Sequence, residues 1–317
     1  MDLLNAILES MHLFNLIIIG SGPAGLTAAI YAVRGGIKTK IVEGSTPGGQ
    51  LMFTGEVENY PGFPQPITGP ELVALMRKQV ERLGVESMSG EVNGADFASK
   101  PFRVKIGRHT LEADAVIVAT GASPRWLGLK SEQKFRGRGV STCATCDGHF
   151  FRNKDVLVVG GGDTAAEEAI YLSNITRSVT VIHRRDQLRA VAINQERVFN
   201  KKINFLWSSV IEEILGETRV ESVKIRDLKT GQTYERKCDG VFIAIGYTPN
   251  TEIFRGQLEL DDAGYIRVQN GTRTNKEGIF AAGDAVDRVY KQAVVAAGSG
   301  GRAAMDAIKY LASRSIT

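Results

Sequence analysis

Cysteine is scarce in this 317-residue chain, which has only Cys143, Cys146 and Cys238. Three cysteines cannot make the disulfide framework of a small secreted domain, but the close pair can make one redox or metal pair. Long apolar runs are missing too. None approaches the roughly 18 residues a spanning helix needs. Asp2 and Glu9 stand where a signal peptide would carry basic residues, so a cytoplasmic protein with no membrane association is expected. Charge of one sign is not in excess: 39 Lys and Arg against 35 Asp and Glu leave +4. That is too thin a footprint for nucleic acid or anionic lipid, and neither partner is expected. Low-complexity sequence is absent as well, since 43% hydrophobic and 23% charged residues are ordinary globular values. The length favours two domains of ordinary size. Glycine alone is abundant, at 35 residues, and points to backbone that must approach something closely.

The chain contains an internal repeat. Leu16 to Tyr31 (LIIIGSGPAGLTAAIY) aligns without a gap with Val156 to Tyr171 (VLVVGGGDTAAEEAIY), 140 positions later. In each copy a β-rich apolar run enters a glycine cluster and then an Ala-rich helical pattern, the opening of a dinucleotide-binding βαβ unit. The first cluster offers Gly20, Gly22, Pro23, Ala24 and Gly25 to a nucleotide, the second Gly160, Gly162, Asp163 and Thr164. A single glycine motif is a weak signal. Two in the same context imply two nucleotides.

The end of the second strand of each unit reads the adenosine ribose. In the first copy Thr39 to Val42 ends at Glu43, whose carboxylate can accept from both ribose hydroxyls. The same offset lands on His183, followed by Arg184, Arg185 and, one turn later, Arg189, where a solvated charge run on a helix start is the bland reading. Guanidiniums suit a 2′-phosphate that a carboxylate would repel. The first site therefore fits FAD and the second NADPH.

Two further echoes set the domain limits. Val116 to Ala122 (VIVATGA) resembles Val241 to Tyr247 (VFIAIGY), each a buried strand ending at a glycine with a proline close behind. The expected architecture is α/β, two Rossmann-like three-layer domains. A discontinuous FAD domain, residues 1–122 and 251–317, is interrupted by an NADPH domain, residues 123–250. Near the C-terminus Gly278 to Asp284 (GIFAAGD) is a strand running into a turn, with a helix expected from Gln292 to Ala307. Asp284 there can bond a ribityl or phosphate-linked hydroxyl.

Cys143 and Cys146 are followed directly by Asp147. A structural zinc site wants four ligands, and no second Cys-x-x-Cys or paired His supplies them, so no metal is expected. Two unreactive buried cysteines are the bland reading. A redox dithiol is the sharper one, with Asp147 placed to hold or deliver its proton.

Over nearly its full length the chain resembles the low-molecular-weight, bacterial and plant type of NADPH-dependent thioredoxin reductase. The resemblance is carried by GSGPAG (Gly20 to Gly25), GGQL (Gly49, Gln50 and Leu51 with Gly48), ENYPGFP around Asn59, ATGA (Ala119, Thr120, Gly121 and Ala122), CATCDG, GGGDTAAEEA, HRRDQLRA and AAGD (ending Gly283 and Asp284). It implies a homodimeric flavoprotein in which Cys146 faces the flavin, Cys143 attacks the disulfide of thioredoxin and Asp147 donates a proton. It also implies FAD contacts from Glu43 to Gln50, at Asn59, and from Asp284 through Lys291 and Gln292 to Ala293. One flavin would meet both nicotinamide and dithiol, and a rotation about the two crossovers would alternate them.

Some residues depart from that pattern. Lys291 stands where an arginine is common, keeping the charge and losing the planar fork. His149 stands where an aromatic is common and is expected mainly to pack. Cys238 is expected to be a small buried residue, His12 and His109 to lie in solvated loops, and the leader Met1 to His12 carries no motif. A glutaredoxin-like or peroxide-reducing partner would suit the same dithiol. A flavin oxidase would not need it, and a redox sensor would not need the arginines.

Overall fold

The structure is a computed structural model that describes residues 13–314; the leader, with His12, lies outside the described residues. The chain divides into two compact units. One is made of the residues up to Ser123 and those from Thr248 on, the other of Pro124–Tyr247, so the second interrupts the first in chain order.

The sheet of the discontinuous unit runs in the order Glu86–Met88, Thr39–Val42, Leu13–Ile19, His109–Val118, Phe102–Ile106, Val92–Asp96. Ile279–Ala281 lies parallel to the end of His109–Val118. Ile19 pairs with Val42 on one side and Val118 on the other, both in parallel register. The run Leu16–Ile19 is apolar throughout because both its faces are covered. Leu16 and Ile18 pack with Ala24, Ala28 and Ala304, whereas Ile17 and Ile19 pack with Phe102, Val104 and Phe254. On the first face the helices Pro23–Arg34 and Ala293–Arg314 touch at a residue without a side chain: a Cβ on Gly300 would lie 2.0 Å from the Ala24 carbonyl oxygen. The alanines of both helices are thus the requirement of a close crossing as well as of helix propensity.

The Pro124–Tyr247 unit holds a parallel sheet in the order Val140–Ser141, Gly240–Ile243, Asp155–Val159, Ser178–Ile182, Ile203–Leu206. Val159 pairs with Ile182 and Ile243. One face packs on the helix Asp163–Ser173 through Val156, Val158, Ala165 and Ala169. The other is covered by the antiparallel strands Ser209–Leu215, Ser222–Asp227 and Thr233–Lys237 through Leu157, Ile211 and Val223. The helix therefore starts at Pro23 in one unit and Asp163 in the other, and the second strand ends at Val42 and Ile182, each pair at the repeat's offset.

Three local expectations need correction. The strands echoing each other stop at Val118 and Ile243, short of Gly121 and Gly246, which turn the chain at φ 69° and 98°. The last helix begins at Ala293 and runs on to Arg314, past the Ala-rich stretch. Residues 183–190 are not helical, and the next helix is Ala192–Phe199. Arg189 is placed instead by its amide, which donates to the Gly161 carbonyl at 2.6 Å. His109 is exposed at the start of a strand. No helix among the described residues is long and apolar enough to cross a membrane.

Candidate active site

Cys143 caps the four-residue helix Ala144–Asp147, which brings Cys146 back beside it. The two form a disulfide, with Cα atoms 5.3 Å apart. Cys143 Sγ lies 3.4 Å from the Thr145 hydroxyl, and the Asp147 amide donates to the Cys143 carbonyl at 3.1 Å. Asp147 Oδ2 accepts a 2.5 Å hydrogen bond from the Ser141 hydroxyl. Burial raises the Asp147 pKa above the usual carboxylate range, outweighing the Ser141 bond and the charge of His149, which both favour the ionised form. The carboxyl beside the disulfide is thus shifted toward holding its proton. His149 packs its ring on Phe150, with the ring centroids 3.8 Å apart, as expected. Cys238 is the buried, free thiol expected, pushed up to about 12 chiefly by burial.

The second glycine turn lies in the same unit. A Cβ on Gly160 would sit 2.3 Å from the Ala244 carbonyl oxygen, and one on Gly161 would enter the His183 ring, whereas Gly162, which precedes the helix, has open space. The first two positions pack; the third leaves backbone N–H groups free to meet a ligand. Asp163 has a structural duty alongside any contact to a nucleotide. Its Oδ1 accepts from the Val191 amide and the Asn194 side chain, both at 2.9 Å, tying the arginine segment to the helix start. Thr164 follows in the first turn. His183 is 6% exposed, and its pKa is lowered by burial and by Arg189, Arg185 and Arg184. The neutral form of the ring is therefore favoured, and its buried Nε2 has no hydrogen-bond partner. The three arginines are exposed and pair with no carboxylate among the described residues. Unpaired guanidiniums around one turn leave positive potential to be met by an anion.

In the discontinuous unit, Gly20 turns at φ 112°, where a Cβ would lie 2.2 Å from the Ala119 carbonyl oxygen. A Cβ on Gly25 would lie 1.9 Å from the Gly20 carbonyl oxygen, but one on Gly22 would meet nothing nearer than the Gly48 carbonyl oxygen at 3.8 Å. The helix after Gly22 starts with Pro23, which lacks the N–H that a first turn leaves unused. Gly49 lies within 3.6 Å of Gly22, counting from its Cβ position, and opens the short helix carrying Gln50 and the buried Leu51. Gly283 packs on Ala24, and its amide donates to Ser299 Oγ at 2.8 Å. Asn59 donates to Gln292 Oε1 at 3.2 Å, so two residues 233 positions apart meet. Lys291 precedes the last helix in a left-handed conformation, φ 47°. Thr120 and Gly121 are held by Asn250, whose side chain and amide donate to their carbonyls, each at 3.0 Å. Gly20, Gly49 and Gly283 thus gather at the start of the helix Pro23–Arg34, while Asn59 meets the residue just ahead of the helix Ala293–Arg314.

Several residues there carry no motif. Ser21 donates to the Glu43 carbonyl at 3.0 Å and accepts from the Gly48 amide at 3.1 Å, stitching two loops together. The Glu43 carboxylate is not simply open to a ribose. It is buried, pairs with Arg77 and accepts from Ser89 at 2.8 Å, which orients it. Sequence reading missed Arg77 and Ser89 because only the fold brings them to Glu43.

Whether a dinucleotide fits is answered by unpaired atoms. Asp284 Oδ1 and Thr120 Oγ1 are buried without a hydrogen-bond partner. Burial, with some help from Asp287, pushes the Asp284 pKa to about 6, while Lys291 opposes the rise. A carboxylate oxygen left without a donor in such a place can accept one from a ligand hydroxyl. With the open backbone at Gly22, the residues present fit a dinucleotide.

Two glycine turns of nucleotide-binding build, one disulfide and an acid beside it define an oxidoreductase that uses a flavin and a pyridine nucleotide. The chain belongs to the pyridine nucleotide-disulphide oxidoreductase family, whose profile matches residues 14–300, and within it to the thioredoxin reductases of bacterial type. It is 50% identical over 302 residues to the thioredoxin reductase of Rickettsia prowazekii, covering 93% of this chain and 97% of that one. It is also 50% identical over 309 residues to that of Coxiella burnetii, covering 94% and 97%. The thioredoxin reductase of Streptococcus pyogenes superposes with a TM-score of 0.91 at 44% identity, over 95% of this chain and 99% of that one.

Proposed function

We propose that the chain is a thioredoxin reductase that takes electrons from NADPH through FAD and passes them by way of Cys143 and Cys146 to the disulfide of thioredoxin. The observation that carries this reading is the Cys143–Cys146 disulfide with the buried Asp147 carboxyl beside it. FAD is assigned to the residues 1–122 and 251–317, NADPH to residues 123–250. Bound there, the two cofactors supply transfer of two electrons as hydride.

The chain's own residues do the rest. Backbone N–H groups after Gly22 and Gly162 face phosphates, and Asp284 accepts from a flavin-side hydroxyl. Glu43, oriented by Arg77 and Ser89, reads an unphosphorylated ribose. Arg184, Arg185 and Arg189 take a 2′-phosphate, which accounts for NADPH over NADH. Asp147 delivers a proton when the disulfide opens, after which Cys143 attacks the partner disulfide. A homodimer working in the cytoplasm, as the family resemblance implies, completes the proposal. The test is NADPH oxidation by the purified, yellow protein with thioredoxin as acceptor, against oxygen alone. Turnover that depends on thioredoxin is expected. Turnover with only a glutaredoxin-like or peroxide-reducing protein would reassign the partner, and equal turnover with oxygen alone would overturn the reading.

A further inference from the structure

Ser141 lies outside the Cys-x-x-Cys motif, yet its hydroxyl meets the groups on both sides of it. It ends the strand Val140–Ser141, where parallel register sets it opposite Phe242, and it is only 7% exposed. Its oxygen accepts from the Cys143 amide at 3.0 Å while its O–H donates to Asp147 Oδ2 at 2.5 Å. The Cys143 carbonyl oxygen stands 3.4 Å away as a second acceptor. A hydroxyl has one proton and two lone pairs. With Asp147 ionised, the proton belongs on the shorter, charge-assisted bond. With Asp147 protonated, the carboxyl can donate to Oγ, and the serine proton turns to the Cys143 carbonyl. Each ionisation state of the acid has its own satisfied arrangement.

We propose that Ser141 is a positioning residue for proton transfer at the dithiol, holding Asp147 beside Cys143 and turning its own proton between Asp147 and the Cys143 carbonyl. The proposal rests on the reading of Asp147 as proton donor. When the Cys143–Cys146 bond takes two electrons and breaks, one proton leaves the Asp147 carboxyl for one sulfur, which becomes a thiol, and the other sulfur is left a thiolate. The new carboxylate receives the Ser141 O–H. Other groups face this place: His149, whose charge favours the carboxylate; Glu168, whose Oε1 is 3.5 Å from the Ala144 amide; Tyr171, against Gly148; and Tyr247, which donates to the Thr142 carbonyl at 2.8 Å. Ser141 hydrogen-bonds to Asp147 and holds the Cys143 backbone through the same oxygen.

The test uses the flavin-loaded full chain in NADPH-driven reduction of thioredoxin across the pH range in which flavin is retained, for Ser141→Ala, Ser141→Thr, Asp147→Asn and the Ser141→Ala/Asp147→Asn pair. Ser141→Ala should lower kcat about tenfold, less than the full 10²- to 10⁴-fold worth of an acid, with KM for thioredoxin unchanged. The inflection that Asp147→Asn abolishes should move to higher pH, because a bond favouring the carboxylate has gone. Ser141→Thr should restore both, and Ser141→Ala should cost nothing further in the Asp147→Asn background. Should Ser141→Ala lose its flavin, Ser141→Cys, with its weak donor, takes its place in the same comparisons. An unmoved inflection with normal kcat, an undiminished loss in the Asp147→Asn background, or failure of threonine to restore would overturn the proposal and leave Asp147 its role. An inflection that survives Asp147→Asn would overturn the reading of Asp147 and the proposal with it.

Discussion

At the scale of single residues, the chemistry is a matter of which polar atoms are left with something to do. Asp147 is buried enough to raise its pKa from the ordinary carboxylate value and bonded enough to be held in place. Replacing Asp147 by Asn should keep the flavin and slow thioredoxin reduction by about 10²-fold or more, read as steady-state kcat. The two cysteines have a different signature. Cys143→Ser and Cys146→Ser should each abolish thioredoxin reduction while NADPH still bleaches the flavin absorbance, since that transfer does not need the dithiol. Full activity in both would sink the assignment. The arginines can be tested through the coenzyme alone. Arg184→Ala with Arg185→Ala should raise KM for NADPH on the order of tens to a hundredfold, with KM for NADH and kcat little changed. Equal losses with both coenzymes would show that these side chains hold up the fold.

At the scale of elements, one strand, turn and helix is used twice with different tolerances. In the first copy the third glycine, Gly25, lets the helix close on the turn, and a Cβ there would meet the Gly20 carbonyl oxygen at 1.9 Å. In the second copy Ala165 takes that place, and its Cβ is what a side chain on Gly160 would meet at 2.7 Å. The middle glycines are free of such contacts. Gly162 has extended backbone, φ −97°, and open space at its Cβ position. Gly162→Ala should therefore leave Tm and flavin content near wild type and raise KM for NADPH by about tenfold, because the added methyl occupies space the phosphates need. Gly25→Ala should lower Tm by several degrees and release flavin on dialysis, since backbone must move to admit it. Thermal melts and flavin absorbance separate the two outcomes.

At the scale of the whole molecule, the proposed contact of Asp284 with the flavin would link cofactor binding to the stability of the chain. Its pKa in the folded chain is about 6, above the ordinary carboxylate value, chiefly because it is buried. The folded state thus binds this proton more tightly than the unfolded state does, and the associated stability is present at low pH and lost as pH rises through about 6. Flavin-stripped protein should lose Tm from this source between about pH 4 and about pH 6, and Asp284→Asn should flatten that slope. Reloading with FAD, whose hydroxyl would satisfy the carboxylate, should flatten it as well. Melts of stripped, reloaded and mutant protein over that range decide the matter.

What the sequence by itself determined is everything that depends on neighbours in the chain. The two glycine turns, the strands and helices flanking them, the Cys-x-x-Cys pair with its acid and the α/β class are written in spacings of a few residues, and the ungapped repeat doubles the signal. Tertiary structure decided the partners. Glu43 meets Arg77 and Ser89 from 34 and 46 residues away, and Asn59 meets Gln292 from 233. Ser141 reaches Asp147, six residues on, because the chain between the strand end and the short helix folds back on itself. Arg189 is set by an amide bonded to Gly161, where a helical turn is the expectation from sequence. A hydrogen bond between distant residues leaves no period in the sequence, because its geometry exists only after the sheets and helices have packed.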